Sequence, residues 1–451
     1  MSALHSHILT PLRRGPWTPR RVRIVSAYRR ARRAFEEWQW LSVDERRVRT
    51  TDALTRLLRH AATVPYYREM LHANSIEPSK PIEIEQWQRL PVLEKAALRE
   101  RGDDLIPTTT RYKWLRADST GGSTGAPVTF KLGPIQQGWR WAAQEHLTAL
   151  CGFRPGQPAA YLWGGDVDPD AKPSLTARLS NFLVNQQLYN CFRLDAAVFE
   201  GIHVQLAKNR PWFLVGYASA LALFAHYLEG RGITPGYPAR AVLTGAEKLE
   251  ASARTVISRV FRVPVYETYG SRDCGAMALQ ADPAGPLIVA APYVLLEPYG
   301  EAAEDGSREI LVTHLEPSDG TVMIRYRVGD RARFADDGPF PSRLHEVTGR
   351  VLDNVRLPSG KIIHSTQFPH LFKDYDIVEY QVVQSKDGSV VASLVAGPTL
   401  DESQQRALGH RLSRMIPEVP VSVKAVPAIE RSAAGKRRPV ISHYVGADSG
   451  P

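Results

Sequence analysis

Apolar positions change their spacing several times along the chain. Near the start, Val22, Val25, Tyr28, Ala31, Phe35 and Trp38 recur at helical intervals, which predicts an amphipathic helix packed on the main body by its apolar side. Leu54, Leu57, Leu58 and Ala61 keep that spacing until Pro65 interrupts it, and a second short helix is predicted beyond the proline. From about residue 110 to 345 the pattern becomes one of short strand-like runs, at residues 158–163, 212–217, 241–245, 263–269, 309–315 and 322–330. Helical stretches at Ala218 to Gly230 and Leu249 to Phe261 fall between them. Alternation of this kind predicts an α/β fold with mostly parallel sheets. Beyond Gly349 the texture changes: Val378 to Gln384 and Val390 to Val395 flank a Ser385-Lys386-Asp387-Gly388 hairpin turn, followed by a helix from Asp401 to Met415 and a strand from Val421 to Val426. Two domains are therefore expected. The larger covers residues 1–349, with residues 1–50 as a basic helical arm, and the smaller, of α+β type, covers residues 350–451.

A length of 451 residues with 43% apolar content agrees with that division, because one core rarely serves so long a chain. The formal charge of +10 is unevenly placed: twelve arginines and four acids in the first 50 residues give +8, leaving +2 for the other 401. Such an arm can be a transit peptide or an anion-binding surface, but its apolar spacing is that of a packed helix with solvated arginines. No nucleic-acid reading element accompanies it, and no nucleic-acid partner is expected. Cys151, Cys191 and Cys274 form no C-x-x-C pair, which argues against a disulfide framework and fits a reducing cytoplasm. Gly216, Tyr217, Ser219 and His226 interrupt the apolar stretch from Leu214 to Leu228, so no membrane span is expected.

Candidate chemistry begins just after Asp118, where Ser119, Thr120, Gly121, Gly122, Ser123, Thr124 and Gly125 precede Ala126 and Pro127. Glycines let backbone N–H groups turn toward an anion and hydroxyls add donors, so this loop can cradle a polyphosphate. The same composition makes an ordinary surface loop, and it is not a Walker loop, since no G-K-[ST] follows.

The order of Thr120 to Pro127 resembles the phosphate loop of the acyl-adenylate-forming superfamily, and five further segments resemble that superfamily in sequence order. Gly245, Ala246 and Glu247 resemble its segment beside the adenine. Tyr269, Gly270, Ser271, Arg272 and Asp273 resemble the segment whose aromatic ring packs on adenine and whose acid holds magnesium, with Asp273 where the family usually has Glu. Arg325 to Asp330 resembles the segment whose aspartate grips the ribose. Arg350 and Asp353 resemble the interdomain hinge, and Arg431 to Lys436 resembles the terminal loop with its catalytic lysine. Leu57 to Arg68, Leu90 to Leu93 and Val215 to Ala220 narrow the resemblance to the phenylacetate-CoA ligase and capsule-biosynthesis ligase-like branch.

This resemblance implies an AMP-forming ligase that uses ATP and Mg²⁺, a small carboxylic acid, and CoA as second substrate. It implies Lys436 and Asp273 as catalytic residues, Asp273 as the metal acid, and a mobile C-terminal lid hinged at Asp353. Nucleotide binding would fall to Ser119 through Gly125, Gly245 through Glu247, Tyr269 through Ser271, Asp330 and Arg350. Duller roles exist for two of these: Asp273 as a helix N-cap before Cys274, and Lys436 as one member of a solvated basic run with Arg437 and Arg438. Ala126 stands where many relatives place a lysine. Residues 336–345 lack the cysteines of some relatives, so no zinc is expected, and His345 and His364 are read as polar surface or hinge residues. Cys274 is read as a buried thiol, not a thioester former.

By the same resemblance, the acyl pocket draws on Trp139, Trp141, Tyr161, Trp163, Tyr217 and Ala246, rings that suit an aromatic or planar acid and serve core packing equally well. The adenylate can instead be captured by an amine or a carrier protein, as in an amide synthetase or loading enzyme. A non-catalytic nucleotide-binding homologue is the alternative of another class. Oligomeric state, a homodimer included, is left open.

Overall fold

The computed structural model describes residues 18–119, 128–163, 185–190, 196–336, 338, 340–350, 355–359, 362–363, 367–372, 374–430 and 438–444. Thr120 to Pro127, Asp353, Lys436, Cys191 and His364 lie outside the described residues, and of Arg350 only the backbone is described.

Five helices open the chain: α1 (Pro19–Trp38), α2 (Val43–Ala61), α3 (Pro65–Ala73), α4 (Ile84–Arg89) and α5 (Lys95–Glu100). The ribbon of β1 (Arg116–Ser119) and β2 (Thr129–Leu132) follows, then α6 (Pro134–Leu150), β3 (Ala159–Trp163) and β4 (Gln186–Asn190). Next come α7 (Ala196–Asn209), β5 (Phe213–Tyr217), α8 (Ala218–Gly230), β6 (Ala241–Gly245), α9 (Ala251–Phe261) and β7 (Val265–Ser271). A run of strands completes the body: β8 (Gly275–Gln280), β9 (Leu287–Val289), β10 (Val294–Tyr299), β11 (Arg308–His314), β12 (Tyr326–Phe334) and β13 (Arg343–Arg350).

Pro19 and the Thr18 hydroxyl, which accepts the Arg21 N–H at 3.3 Å, start α1. Its buried stripe runs through Ile24, Tyr28, Ala31 and Phe35, flanked by Val25 and Ala27, and each large side chain so buried contributes roughly 1.5–3 kcal/mol. Val22, expected inside, is 50% exposed, because the stripe is centred on Ile24 and leaves Val22 on the far side. This helix lies on α6 so closely that a Cβ at Gly138 would fall 2.6 Å from the Ile24 carbonyl oxygen and the Tyr28 nitrogen. Tyr28 also donates to the Glu145 carboxylate of α6.

The large sheet has eleven described strands in the order β10-β11-β12-β13-β9-β8-β7-β6-β5-β3-β4. The α/β class stands, but the sheet is parallel only from β7 to β4. From β7 to β10 every pairing is antiparallel, so the runs at 309–315 and 322–330 are not parallel strands as expected. Connection length accounts for the difference: helices separate β4, β5, β6 and β7, whereas β7 to β13 follow one another through turns and loops too short for a crossover helix.

After the large sheet come β14 (Val355–Arg356), β15 (Ile362–Ile363), α10 (Gln367–Phe372), β16 (Ile377–Gln384), β17 (Val390–Ala396), α11 (Glu402–Met415), β18 (Val421–Ala425) and β19 (Val440–Ser442). The four-stranded sheet β18-β17-β16-β19 and α11 enclose a separate apolar cluster that includes Phe368, Val382, Leu394, Leu408 and Leu412. Asp401 and Gln404 cap α11 reciprocally. No helix among the described residues is long and apolar enough to cross a membrane.

Candidate active site

Asp273 occupies the turn between β7 and β8, where Ser271 pairs with Gly275. Cys274 leads into a strand, so Asp273 caps no helix. Its Oδ1 accepts the Cys274 N–H at 3.2 Å, and its Oδ2 accepts the Tyr326 hydroxyl at 2.8 Å. Tyr269 of β7 donates in the opposite direction, to Asp330 Oδ2 of β12, at 3.0 Å. Two tyrosine–aspartate bonds thus join the same two segments reciprocally. Asp273 is 3% and Asp330 8% exposed, so both carboxylates are aimed before any ligand arrives. Burial and the neighbouring Asp273 push the Tyr326 phenol far up, which keeps it a donor. Asp330 also lies in register with Arg350 of β13.

The segments that narrow the family resemblance brace this arrangement. Tyr67 donates its hydroxyl proton to the Val322 carbonyl at 3.1 Å and accepts the Ile324 N–H at 3.0 Å. Leu93 exchanges backbone bonds with Arg325 and Arg327 at 3.1 and 3.0 Å. The buried Arg325 guanidinium bonds Glu297 at 3.2 Å, the Gln88 carbonyl at 2.6 Å and the Leu90 carbonyl, while Trp87 Nε1 donates to Glu297 at 3.1 Å. Sequence reasoning quoted Arg325 and Leu90 without seeing that they meet. It also missed Tyr326, though that residue lies inside a quoted motif.

Arg140 of α6 holds the turn from behind, donating to the Asp273 carbonyl at 2.8 Å and the Arg272 carbonyl at 2.7 Å. Arg272 in turn donates to the Ser119 carbonyl at 3.0 Å, which ties the start of the glycine-rich segment to this turn. Tyr293 donates to the Cys274 carbonyl at 2.7 Å and stacks on His314. The Cys274 thiol is fully buried, and desolvation, with Asp273 beside it, raises its pKa well above the usual range. It therefore stays protonated, in keeping with the inert reading.

On the other side of β7 the lining is apolar. Trp163 and Ala246 pack on the buried Tyr217 and Ala220, with the Trp163 and Tyr217 ring centroids 4.6 Å apart, and Trp163 also packs against the main core. These residues sit at or just past the carboxyl ends of β3, β5 and β6, where open α/β sheets bind ligands. Ala246 adopts a left-handed φ of 67°, and Gly245 must be glycine, since a Cβ there would lie 2.4 Å from Thr268 Oγ1. Glu247 accepts the Ser219 N–H at 2.6 Å and so serves the first turn of α8, which has no side-chain cap from Tyr217. Trp139 and Tyr161, named with the acyl pocket and equally with core packing, are buried in the main core, and Trp141 and Trp163 are partly buried against it. Trp139 faces Phe35 of α1, and Tyr161 sits two residues deeper in β3 than Trp163, on the same face.

No family model matches the chain. A phenylacetate-coenzyme A ligase from Aromatoleum evansii is 23% identical over 427 residues, covering 89% of this chain and 95% of that protein. Among solved structures, 2-hydroxyisobutyryl-CoA ligase in its postadenylation state aligns with a TM-score of 0.69 at 17% identity, over 89% of this chain and 91% of that one. The chain has the acyl-adenylate-forming ligase fold. The same ligase with 2-HIB-AMP and CoA, in its thioesterification state, gives a TM-score of 0.55 at 18% identity over 89% and 90% of the two chains. The branch returned by the sequence comparison is the one the motifs resemble.

For a member of this fold, the donor set around Asp273 bears on metal use. Among the described residues no group of three or more His, Cys, Asp and Glu can hold a metal ion. Asp273 supplies a single carboxylate, and each of its oxygens keeps a second lone pair beyond the bond it accepts. That suits a magnesium ion arriving on phosphate oxygens, which needs only one or two protein carboxylates, and does not suit a resident metal cage. His345 lies in β13, and among the described residues it belongs to no metal-ligand group.

Proposed function

We propose that this chain is an AMP-forming acid ligase that activates a small carboxylic acid with ATP and passes the acyl group to CoA. The observation that carries the reading is the reciprocal pair Tyr269–Asp330 and Tyr326–Asp273, which fixes two buried carboxylates on one floor. Asp330 would clasp the ribose hydroxyls and the Tyr269 ring would pack on the adenine. Asp273 would meet the magnesium that enters with ATP. The acid's carboxylate oxygen bonds the α-phosphorus as the bond to pyrophosphate breaks; the acceptor's thiol then bonds the acyl carbon as AMP leaves. Both steps bring anions together, so their rate depends mainly on positioning and charge neutralisation.

Trp163 and Tyr217 favour a planar or aromatic acid. Lys436 would approach the carboxylate and α-phosphate in the first step, and residues 350–451 would turn about Asp353 to withdraw it for the second. The cytoplasm is the expected compartment.

The test is a panel of carboxylic acids assayed for pyrophosphate release with and without CoA. Acid-dependent release that multiplies on adding CoA is the expected result. Release that responds to an amine or a loaded carrier protein instead would transfer the second step to that acceptor. ATP binding without acid-dependent pyrophosphate exchange across the panel would leave only a nucleotide-binding homologue. Lys436→Ala should lower adenylation at least about 100-fold while sparing ATP binding.

A further inference from the structure

Helix α6 turns an arginine into the protein. Arg140 is 8% exposed, and Gln136, one turn earlier on the same side, is 3% exposed, in a stripe that Ala143 and Leu147 continue. A guanidinium so placed is costly to desolvate unless its N–H groups are bonded, and an aliphatic side chain would serve packing alone.

Its bonds explain the residue type. Nη2 donates to the Arg272 carbonyl at 2.7 Å and Nη1 to the Asp273 carbonyl at 2.8 Å, so one planar fork spans two successive peptide units. The next carbonyl, of Cys274, accepts the Tyr293 hydroxyl at 2.7 Å and lies 3.2 Å from His314 Nε2. Gln136 Nε2 lies 3.4 Å from His314 Nδ1, which assigns a neutral ring that carries its proton on Nε2 and donates it to that carbonyl. Three consecutive carbonyls of the β7–β8 turn are thus held from the interior. There is little slack: a Cβ at Gly275, whose φ is 86°, would lie 3.4 Å from Arg140 Cγ and Cζ and 3.2 Å from the Tyr293 hydroxyl.

The turn held in this way carries Asp273. One methylene separates an aspartate carboxylate from its backbone, so the backbone decides where the oxygens lie. Tyr326 fixes the direction of the carboxylate, and Arg140 fixes the peptide from which it springs. Magnesium demands near-ideal octahedral geometry, so a single carboxylate that meets it tolerates little displacement.

We propose that Arg140 is a positioning residue for metal use: by gripping the Arg272 and Asp273 carbonyls in one fork, it places the Asp273 carboxylate where the magnesium of Mg·ATP can be met. This rests on the function proposed above, in which Asp273 meets that ion. An arginine that merely supported the fold would affect ATP alike with and without metal.

Equilibrium binding of ATP to the full chain, in excess Mg²⁺ and in EDTA, separates the two. Magnesium should tighten ATP on the wild-type chain. Arg140→Gln should weaken Mg·ATP about tenfold and leave metal-free ATP within about twofold. Arg140→Lys, which can reach one carbonyl but not span two, should fall between, and it carries the same comparison if Arg140→Gln does not fold. Asp273→Asn should lose the same metal-dependent gain, and adding Arg140→Gln to it should cost nothing more, because the two residues act in series. In turnover the Mg²⁺ concentration for half-maximal rate should rise in Arg140→Gln while KM for the acid stays unchanged. Equal weakening of ATP with and without metal, or a full metal-dependent gain in the Arg140 variants while Asp273→Asn loses it, overturns the proposal and leaves the ligase reading standing. A wild-type chain that binds no ATP, or whose ATP affinity ignores Mg²⁺, overturns the metal role of Asp273 and the proposal with it.

Discussion

The two halves of the large sheet treat charge differently. In the parallel half, the layer that includes Leu162, Leu214, Leu221, Phe224, Val242 and Ile257 is apolar. Its ion pair Arg259–Glu229 stands outside at 2.7 Å, with side chains 56% and 41% exposed. The antiparallel half has exposed pairs too, such as Arg333–Glu346, but it also buries charges: Arg325 and Glu297 are 6% and 4% exposed, and Asp273, Asp330 and His314 are buried. Strand β7 is the seam. On one side its neighbours end in the Trp163 and Tyr217 rings, and on the other they carry the carboxylates and guanidiniums. The proposed acyl chain and nucleotide would make opposite demands on their surroundings, and the change of strand direction falls where the two would join.

Breaking the charged half at its anchor should have the largest effect. Arg325→Ala would leave Glu297 buried with only the Trp87 N–H, and would release the Gln88 and Leu90 carbonyls. A loss of about 3–5 kcal/mol in chemical denaturation is expected, whereas replacing Arg325 and Glu297 together by Met and Leu should cost much less. If the single and double variants lose the same stability, the pair is not the anchor.

Acid should reveal the same burial. Desolvation, with Arg140 adding to it, lowers the His314 pKa to about 4, and the ring meets Gln136, Tyr293 and the Cys274 carbonyl. The unfolded imidazole titrates near 6.5, so between these values the unfolded state binds more protons and stability rises with pH. Acidification from pH 7 to 4 should therefore remove up to about 3 kcal/mol through this residue, and His314→Gln should flatten that dependence. Glu267 opposes it: desolvation raises its pKa from 4.5 to about 7, so its contribution declines as pH rises through that interval. Glu267→Gln should steepen the rise that His314 produces. Denaturation midpoints from pH 4 to 7 for the two variants measure both slopes, and parallel curves would refute the assignment.

A paired substitution tests whether the seam divides two recognitions. Asp330→Ala should reduce ATP–pyrophosphate exchange about 100-fold and raise KM for ATP with little change for the acid. Trp163→Ala should raise KM for the acid about tenfold and leave ATP unchanged. Tyr161→Phe, in the core two residues away, should affect neither. If both KM values moved together in Asp330→Ala and Trp163→Ala, the two pockets would not be separate.

Much of this was legible in the residues, but unevenly. Asp273, Asp330 and Tyr269 stood in ordered segments, and the structure joins those segments through Tyr326. Tyr326 itself gave no separate signal, and only its placement against the β7–β8 turn reveals its hydroxyl as a donor. Strand direction was not legible, since a buried antiparallel strand such as β11 reads as the same apolar run as a parallel one. Aromatic composition likewise could not separate Trp163 from Trp139, because their sorting depends on which neighbour closes over each ring. Arg140 gave no sequence signal: it lies well away in the chain from Arg272 and Asp273, and they meet only when α6 and the β7–β8 turn pack together.

The smallest effect is expected on the exposed side of the parallel half. Arg259 of α9 and Glu229 of α8 make two bonds, at 2.7 and 2.9 Å, in a geometry as good as the interior pair. Geometry alone would rank them equal to Arg325 and Glu297. Water decides otherwise: both side chains are hydrated before folding and largely hydrated after it, and holding them in one rotamer costs entropy that the screened attraction barely offsets. Glu229→Ala should therefore change stability by less than about 1 kcal/mol, with the difference shrinking further in high salt. Because its side chain is removed without stranding a buried partner, Arg259→Ala should match it, which is the opposite of what Arg325→Ala and its double variant are expected to show. A cost near that of Arg325→Ala would mean that burial is not what distinguishes the two halves.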